Sequence, residues 1–245
     1  MKELIFCERN SIRKPKFIAH RGYAATAPEN SIPAFIEAGK RGMWAVETDV
    51  WSTVDGVLVC CHDRSLERMF SRQNNVDEIP YDELVQYSIT SGNNVGGYNS
   101  QLLRMPRFEE YLQICRDYGS VPFIEIKGCV VPQVITALRE YGMEDYSVVS
   151  SSRFEHLRET RDYSKRVFVH HIFSSECMIE AVAALGYSGM ALDYRDMFSI
   201  PKDLPEKIHR ADVRFCFRAA DDTQTAIQMI QKGVDYIPTN KIFSL

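Results

Sequence analysis

The sequence has no run of apolar residues near the ~18 that a membrane-spanning helix needs. Its first residues, MKELIFCERNSIRK, hold just four consecutive apolar positions, Leu4–Cys7, short of the roughly 7–15 of a secretory leader. A cytoplasmic location is the expectation. Positive charge is not in excess: 29 Lys and Arg against 33 Asp and Glu leave a net charge of −4. That balance argues against a surface that tracks nucleic acid or anionic lipid, while leaving room for a small positive pocket. The seven cysteines contain no CxxC and are odd in number, which disfavours both a disulfide framework and a thiolate metal site and points to reduced thiols. No low-complexity tract and no internal repeat is visible. What is present is ordinary for a globular protein, with 45% hydrophobic and 25% charged residues. A length of 245 residues is large for one ordinary domain, small for two, and close to the roughly 250 of a single barrel.

From residue 121 onward, short apolar runs alternate with helix-like segments. The runs are VPFIEIK (121–127), YSVVSS (146–151), RVFVHHIF (166–173), GMALDY (189–194), VRFCFRA (213–219) and DYIPT (235–239). Each is too short for a helix and rich in β-branched or aromatic residues. Between them, VPQVITALREYG, RFEHLRETRDY and DTQTAIQMIQKG carry apolar residues three and four apart, and several close with Gly. KFIAH (16–20) and WAVETDV (44–50) are two earlier strands, joined by a helix in NSIPAFIEAGKRG with Asn30 or Ser31 as its cap. Eight strands in strand–helix alternation predict an α/β fold with a parallel sheet, closed as a TIM (β/α)₈ barrel and forming one catalytic domain over 1–245. Only six residues follow the last strand, too few for an eighth helix, and residues 1–15 are expected to cover the barrel bottom. Segment 64–105, with SRQNN and TSGNNVGGYNSQ, breaks the alternation and reads as a small, loop-rich subdomain inserted after the second strand, near the mouth.

Barrel active sites lie at the C-terminal ends of the strands. The first strand ends in His20-Arg21-Gly22, the second carries Glu47-x-Asp49 and the third Glu125-x-Lys127. Residues i and i+2 of a strand share a face, so Glu47 with Asp49, and Glu125 with Lys127, point inward, while Val46, Val50, Ile124 and Ile126 point toward the helices. Three carboxylates converging at one mouth make a hard oxygen-donor site, suited to Mg²⁺ or Ca²⁺ rather than zinc. Asp55-Gly56 between apolar runs predicts a hairpin. With these two as the central turn residues, His62 falls opposite Asp49 and reaches the rim of the carboxylates. Two histidines, a cation site, Arg21 and Lys127 around one mouth suggest phosphate ester chemistry, with His20 and His62 as general acid and base.

HRGYAATAPENSIPAFIEAGKRG, VETDVWSTVDGVLVCCHDRSLER, FIEIK and GVDYIPTN resemble the glycerophosphodiester phosphodiesterases. The likeness is dense over 17–127 and returns at 233–240, with HRG, PEN, ExD, DG, HD and ExK in order. It implies a TIM barrel with a small inserted subdomain and hydrolysis of glycerophosphodiesters, a small-molecule substrate, to glycerol 3-phosphate and an alcohol. It also implies one divalent cation on Glu47, Asp49 and Glu125, a catalytic pair in His20 and His62, and phosphate contacts from Arg21 and Lys127. Two positions depart from the family pattern. CFRAAD (216–221) stands where a Trp-containing, WTVN-like run is usual, and Met69 stands where Thr is often found. The first change brings Arg218 near the pocket, where its guanidinium could read a second anionic group on the substrate. The alternative is a sideways salt bridge from Arg218 to Asp193 or Asp221, with Phe217 filling the aromatic's place.

Blander readings stand beside these. Arg21 could be a structural partner of Glu29, and Lys127 a partner of Glu125 alone. Only one of His170 and His171 can face the mouth, as a satisfied core or rim residue, and His156 and His209 read as surface positions on helices. A lysophospholipid-cleaving enzyme on the same barrel would need an apolar rim, which 64–105 is too polar to supply. A catalytically silent binding barrel would have lost a histidine or a carboxylate, and none is lost. A sugar-phosphate isomerase-like barrel would carry a glycine cluster after its last two strands, where AADDTQ and TNKIFSL have none.

Overall fold

The computed structural model describes residues 16–242 and 244. The segment 1–15, expected to cover the barrel bottom, lies outside the described residues. In chain order the elements are β1 (Lys16–Ala19), α1 (Ile32–Lys40), β2 (Ala45–Ser52), β3 (Leu58–Cys60), α2 (Glu67–Phe70), α3 (Tyr81–Leu84), α4 (Phe108–Tyr118), β4 (Val121–Gly128), α5 (Val131–Glu140) and β5 (Val148–Ser151). They continue with α6 (Phe154–Tyr163), β6 (Phe168–Ser174), α7 (Ile179–Ala184), β7 (Ser188–Leu192), α8 (Leu204–Arg210), β8 (Val213–Cys216), α9 (Thr223–Gln231) and β9 (Tyr236–Thr239).

All eight expected strands form one parallel sheet in the order β8-β7-β6-β5-β4-β2-β1-β9, with β3 attached antiparallel to β2. The sheet curls into a nearly closed TIM barrel with the helices outside. The open seam lies between β8 and β9. It is bridged by the backbone bonds Asp235 N–H to Phe215 O and Ala220 N–H to Pro238 O, both 2.9 Å.

Period two divides the side chains as a barrel requires. Val46, Val50, Ile124 and Ile126 belong to the buried layer between strands and helices, with Phe35, Leu112 and Val134. Ile18, Ala45, Phe123, Val148, Phe168 and Tyr236 fill the barrel interior. The interior is thus packed below and leaves the polar strand ends for the mouth.

The hairpin forms, but in a different register from the one the Asp-Gly pair suggests. Val50 pairs with Cys60 and Trp51 with Val59, and Cys61 N–H bonds Asp49 O at 2.9 Å, so Cys61 rather than His62 lies beside Asp49. Gly56 adopts φ +82°, and Thr53 bonds both Gly56 and Val57. The loop therefore has three residues, a turn followed by a left-handed glycine. The extra residue shifts the pairing by one.

Between β3 and β4 the chain runs through α2, α3 and α4, and the stretch up to Met105 forms a second buried cluster, with Leu66, Phe70, Val76, Tyr81, Leu84 and Met105 packed with Val59 of β3 and Cys61. Among the described residues, no helix is long and apolar enough to cross a membrane.

The turn after β1 depends on Gly22. Its φ is +78°, and a Cβ there would lie 2.7 Å from the Ala34 Cβ and 2.8 Å from the Ala34 carbonyl carbon. Gly22→Ala combines positive-φ strain with a clash against α1. It should lower stability by about 1–3 kcal/mol, measured as a shift in the denaturation midpoint. An unchanged midpoint would show that α1 yields freely.

Candidate active site

Parallel pairing of β2 with β4 sets Asp49 beside Glu125, and Glu47 lies one inward position earlier on β2. One carboxylate oxygen from each of Glu47, Asp49 and Glu125 can be chosen so that all three lie within 4.8 Å of one another. Glu47 and Asp49 are buried. Burial raises the pKa of Glu47 well above its ordinary value, and repulsion from Asp49 and Glu125 adds to it. Burial likewise raises that of Glu125, helped by Asp49 and opposed by Lys127 and His62.

The surrounding chain compensates part of this charge. Lys127 Nζ lies 2.5 Å from Glu125 Oε1 and 3.3 Å from Asp49 Oδ1. Burial disfavours its ammonium, but Asp49 and Glu125 outweigh that and raise its pKa. The Arg21 N–H donates to Glu47 Oε2 at 2.6 Å, a bond made possible by the turn in which Arg21 itself adopts φ +55°. The Arg21 side chain is divided between Glu29, at 2.9 Å, and Asp49, at 3.6 Å. Glu29 in turn pairs with Arg68 at 2.6 Å, tying the segment after β3 to the loop after β1. Two atoms stay unsatisfied in this cluster. Among the described residues, Arg21 Nε and Asp49 Oδ1 are buried without a hydrogen bond, the latter despite the ammonium 3.3 Å away. Open carboxylate lone pairs at the centre of an all-oxygen donor set fit a hard divalent cation.

Asn30, read from sequence as a possible helix cap, has a different task. Ser31 caps α1, accepting from Ala34 N–H. Asn30, at φ +49°, donates from Nδ2 to Asp49 Oδ2 at 2.9 Å and accepts from Thr48 Oγ1 at 2.7 Å. It orients the carboxylate that sits deepest.

A cavity of about 480 Å³ opens over the cluster, and His20, Glu47, Glu125 and Arg218 are among its walls. His20 follows β1. Burial lowers its pKa, and the Arg21 charge lowers it further, so the imidazole is neutral near pH 7. His62 follows β3, and its Nδ1 lies 2.7 Å from Asp63 Oδ1, while Asp63 is held by Arg68 at 2.5 Å. His62 is reached through the loop after β3 rather than by cross-strand pairing with Asp49; it is not among the walls of the large cavity and borders Glu29, Asn30 and Cys61 instead, near enough for its charge to act on Glu125.

Arg218 lies at the mouth, its Nη2 3.4 Å from Asp193 Oδ1, with both side chains about half exposed. Phe217 is buried beside it, and Asp221 engages Asn240 instead. Of the adjacent histidines, His170 faces the cavity, bonded to Ser150 Oγ at 3.1 Å. Burial, with His171 second, holds its pKa at about 3. His171 bonds Ser174. His156 and His209 are on helices as expected, each with a partner, Ser151 and Asp235. Ile172, Phe173, Ala191, Leu192 and Phe217 add an apolar stretch to the wall, next to Asp193 and Arg218. Phe173 sits where the β6–β7 register shifts, at φ +52°, and is 71% exposed.

The sequence matches the model of the "Glycerophosphoryl diester phosphodiesterase family" over residues 20–175. It is 27% identical over 235 residues to a glycerophosphodiester phosphodiesterase of Caldanaerobacter subterraneus subsp. tengcongensis, covering 93% of this chain and 94% of that protein. Among solved structures, an Oleispira antarctica phosphodiesterase in complex with the product sn-glycerol-3-phosphate superposes with a TM-score of 0.81 at 22% identity, covering 93% of each chain. A glycerophosphodiester phosphodiesterase from Agrobacterium tumefaciens gives 0.78 at 22% identity, covering 93% of this chain and 97% of that one.

The charge crowding has a measurable consequence. The folded protein retains the Glu47 proton above pH 4.5, the ordinary value, where the unfolded chain has released it. Glu47 therefore makes stability fall as pH rises from about 4.5 toward its folded pKa. In EDTA, melting temperatures between pH 4.5 and 7 should decline more steeply for the wild type than for Glu47→Gln. Parallel curves would contradict the raised pKa.

Proposed function

The chain belongs to the glycerophosphoryl diester phosphodiesterase family, and on that premise we propose that it hydrolyses glycerophosphodiesters to glycerol 3-phosphate and an alcohol, using one divalent cation and two histidines. The observation that carries this reading is the set of three carboxylate oxygens within 4.8 Å, next to His20 and open to a cavity. Glu47, Asp49 and Glu125 would hold the cation, Mg²⁺ or Ca²⁺. When bound, such a cation would supply positive charge against the phosphodiester.

The protein's own groups do the rest. Arg21 and Lys127 contribute charge against the phosphodiester. One histidine takes the proton of the attacking oxygen as its bond to phosphorus forms. The other gives a proton to the departing alkoxide as the phosphorus–oxygen bond to the alcohol breaks. The attacking oxygen belongs to water, or to the neighbouring glycerol hydroxyl, in which case a cyclic phosphate forms and water then opens it to glycerol 3-phosphate. Arg218 contacts a second anionic group on the alcohol, supported by its position on the cavity wall and its loose pairing to Asp193. Residues 64–105 act as a small inserted subdomain, a reading supported by the buried cluster they form together with Val59 and Cys61.

A second reading draws on the apolar wall of the cavity. A lysophospholipid-cleaving enzyme needs an apolar rim, and Ile172, Phe173, Leu192 and Phe217 offer one from the β6–β8 side.

Turnover of glycerophosphocholine, -ethanolamine, -glycerol and -inositol, with a lysophospholipid for comparison and EDTA controls, tests these readings together. Activity should vanish in EDTA and return with Mg²⁺ or Ca²⁺. Glu47→Gln, Asp49→Asn and Glu125→Gln should each remove most of it. His20→Ala and His62→Ala should each lose at least about 10²-fold while still binding the cation. Full activity after chelation, or a wild-type rate in a histidine variant, would overturn the mechanism, and an absence of turnover on every substrate would favour a binding protein. A separate expectation concerns Arg218→Met. It should raise KM by up to about fivefold for substrates with an extra negative charge, since exposed ion pairs are worth at most about 1 kcal/mol, and spare glycerophosphocholine. A uniform effect would remove Arg218 from recognition.

A further inference from the structure

Behind His20 runs a short chain of polar groups that crosses the open seam of the barrel. His20 Nδ1 lies 3.1 Å from Asn240 Oδ1. Asn240 Nδ2 donates to Asp221 Oδ2 at 2.8 Å. The other Asp221 oxygen accepts from Asn240 N–H at 2.7 Å and from Thr239 Oγ1 at 3.2 Å. Burial works against the Asp221 charge, but these donors outweigh it and lower its pKa. Asp221 is therefore a carboxylate at neutral pH and can only accept. His20 is further tied to this corner by its own N–H, which bonds Thr239 O at 2.9 Å.

We propose that Asp221, acting through Asn240, fixes His20 in the tautomer that carries its proton on Nδ1 and offers the Nε2 lone pair to the reacting oxygen. The argument is one of donors and acceptors. A primary amide has two faces, and a carboxylate selects the NH₂ face. With Asn240 Nδ2 committed to Asp221, Oδ1 must face His20. A carbonyl oxygen cannot donate, so His20 Nδ1 must carry the hydrogen. A neutral imidazole has one hydrogen, so Nε2 is left basic. Asp221 and Asn240 are positioning residues, and the two loops they belong to follow β8 and β9, adjacent strands that the sheet leaves unpaired. The inference rests on the reading of His20 as a proton-transfer group, but the tautomer itself is observable without turnover.

The network makes an unusual demand on Asp221→Asn. The carbonyl oxygen of the amide introduced at position 221 would keep the bonds from Asn240 N–H and Thr239 Oγ1, so its NH₂ would face the Asn240 side chain. Asn240 must then turn its oxygen toward position 221 and its NH₂ toward His20. The tautomer of His20 inverts, although the residue in contact with the ring is still Asn240. The double variant Asp221→Asn, Asn240→Asp reverses donors and acceptors along the chain and restores an acceptor opposite Nδ1.

The test is ¹⁵N spectroscopy of the full chain labelled at histidine, with Mg²⁺ present and the His20 signals assigned by loss in His20→Gln. The wild type should show a protonated Nδ1 and a basic Nε2, Asp221→Asn the reverse, and the double variant the wild-type pattern. kcat should fall by about 10²-fold or more in Asp221→Asn, the range for loss of a general base or acid, with KM changed less than about threefold, and should recover in the double variant. A basic Nδ1 in the wild type, or an unchanged tautomer in Asp221→Asn, would overturn the proposal. If the tautomers behave as expected while His20→Ala keeps full activity, the relay stands and the catalytic reading of His20 falls instead.

Discussion

Three carboxylates held at one buried place by two neighbouring strands are the constraint around which this molecule is arranged. Two unit charges 4 Å apart interact by roughly 4 kcal/mol even at an effective dielectric of about 20, and here three share a 4.8 Å neighbourhood. The register that sets Asp49 beside Glu125 leaves no freedom to separate them. The chain responds with Lys127 on the same face of β4, with a backbone N–H from Arg21, and with the amide of Asn30. Those responses are incomplete: Glu47 is driven toward its protonated form, and among the described residues Asp49 Oδ1 has only its 3.3 Å ion-pair contact with Lys127. Structural carboxylates are normally satisfied. A deficit at the mouth of a barrel, beside a neutral histidine, has its natural remedy in a cation.

The fold makes such a deficit tolerable by separating packing from chemistry along each strand. Below the cluster, Phe123, Phe168 and Tyr236 fill the barrel, and Gly189 is needed because a Cβ there would lie 2.5 Å from the Tyr236 hydroxyl. Above it, loops deliver the polar groups. The turn at Gly22 brings Arg21 onto Glu47, and the excursion after β3 brings Arg68 onto Glu29 and Asp63. The walls of the cavity mix polar groups, among them His20, Glu47, Glu125, Asp193 and Arg218, with the apolar Ile172, Phe173, Leu192 and Phe217.

Much of this is visible in the sequence because it follows from periodicity. Alternate residues on a strand share a face, so Glu47, Asp49, Glu125 and Lys127 converge once the strands are recognised, and the strands announce themselves through their β-branched runs. Features that depend on a left-handed residue or on distant contact are not legible in the same way. Asp55-Gly56 looks alike whether it forms a two-residue turn or, as here, part of a three-residue loop closed by Gly56 at φ +82°. That one residue moves Cys61 into the place expected of His62. Asn30 looks like a cap, and only its positive φ turns it toward Asp49, a residue 19 positions away. Asp221 and Asn240 meet His20 only when β9 joins β1 and the ends of the sheet approach, so nothing in their local sequence marks them.

A cation that fills the carboxylate deficit can be located in a crystal. The direct measurement is anomalous diffraction from crystals grown with Mn²⁺, a scattering substitute for Mg²⁺ with the same oxygen preference. The expected result is a single strong peak among Glu47, Asp49 and Glu125, with the Lys127 ammonium displaced from its position between Glu125 and Asp49. A cluster without such a peak, with Lys127 still in place, would contradict cation binding there.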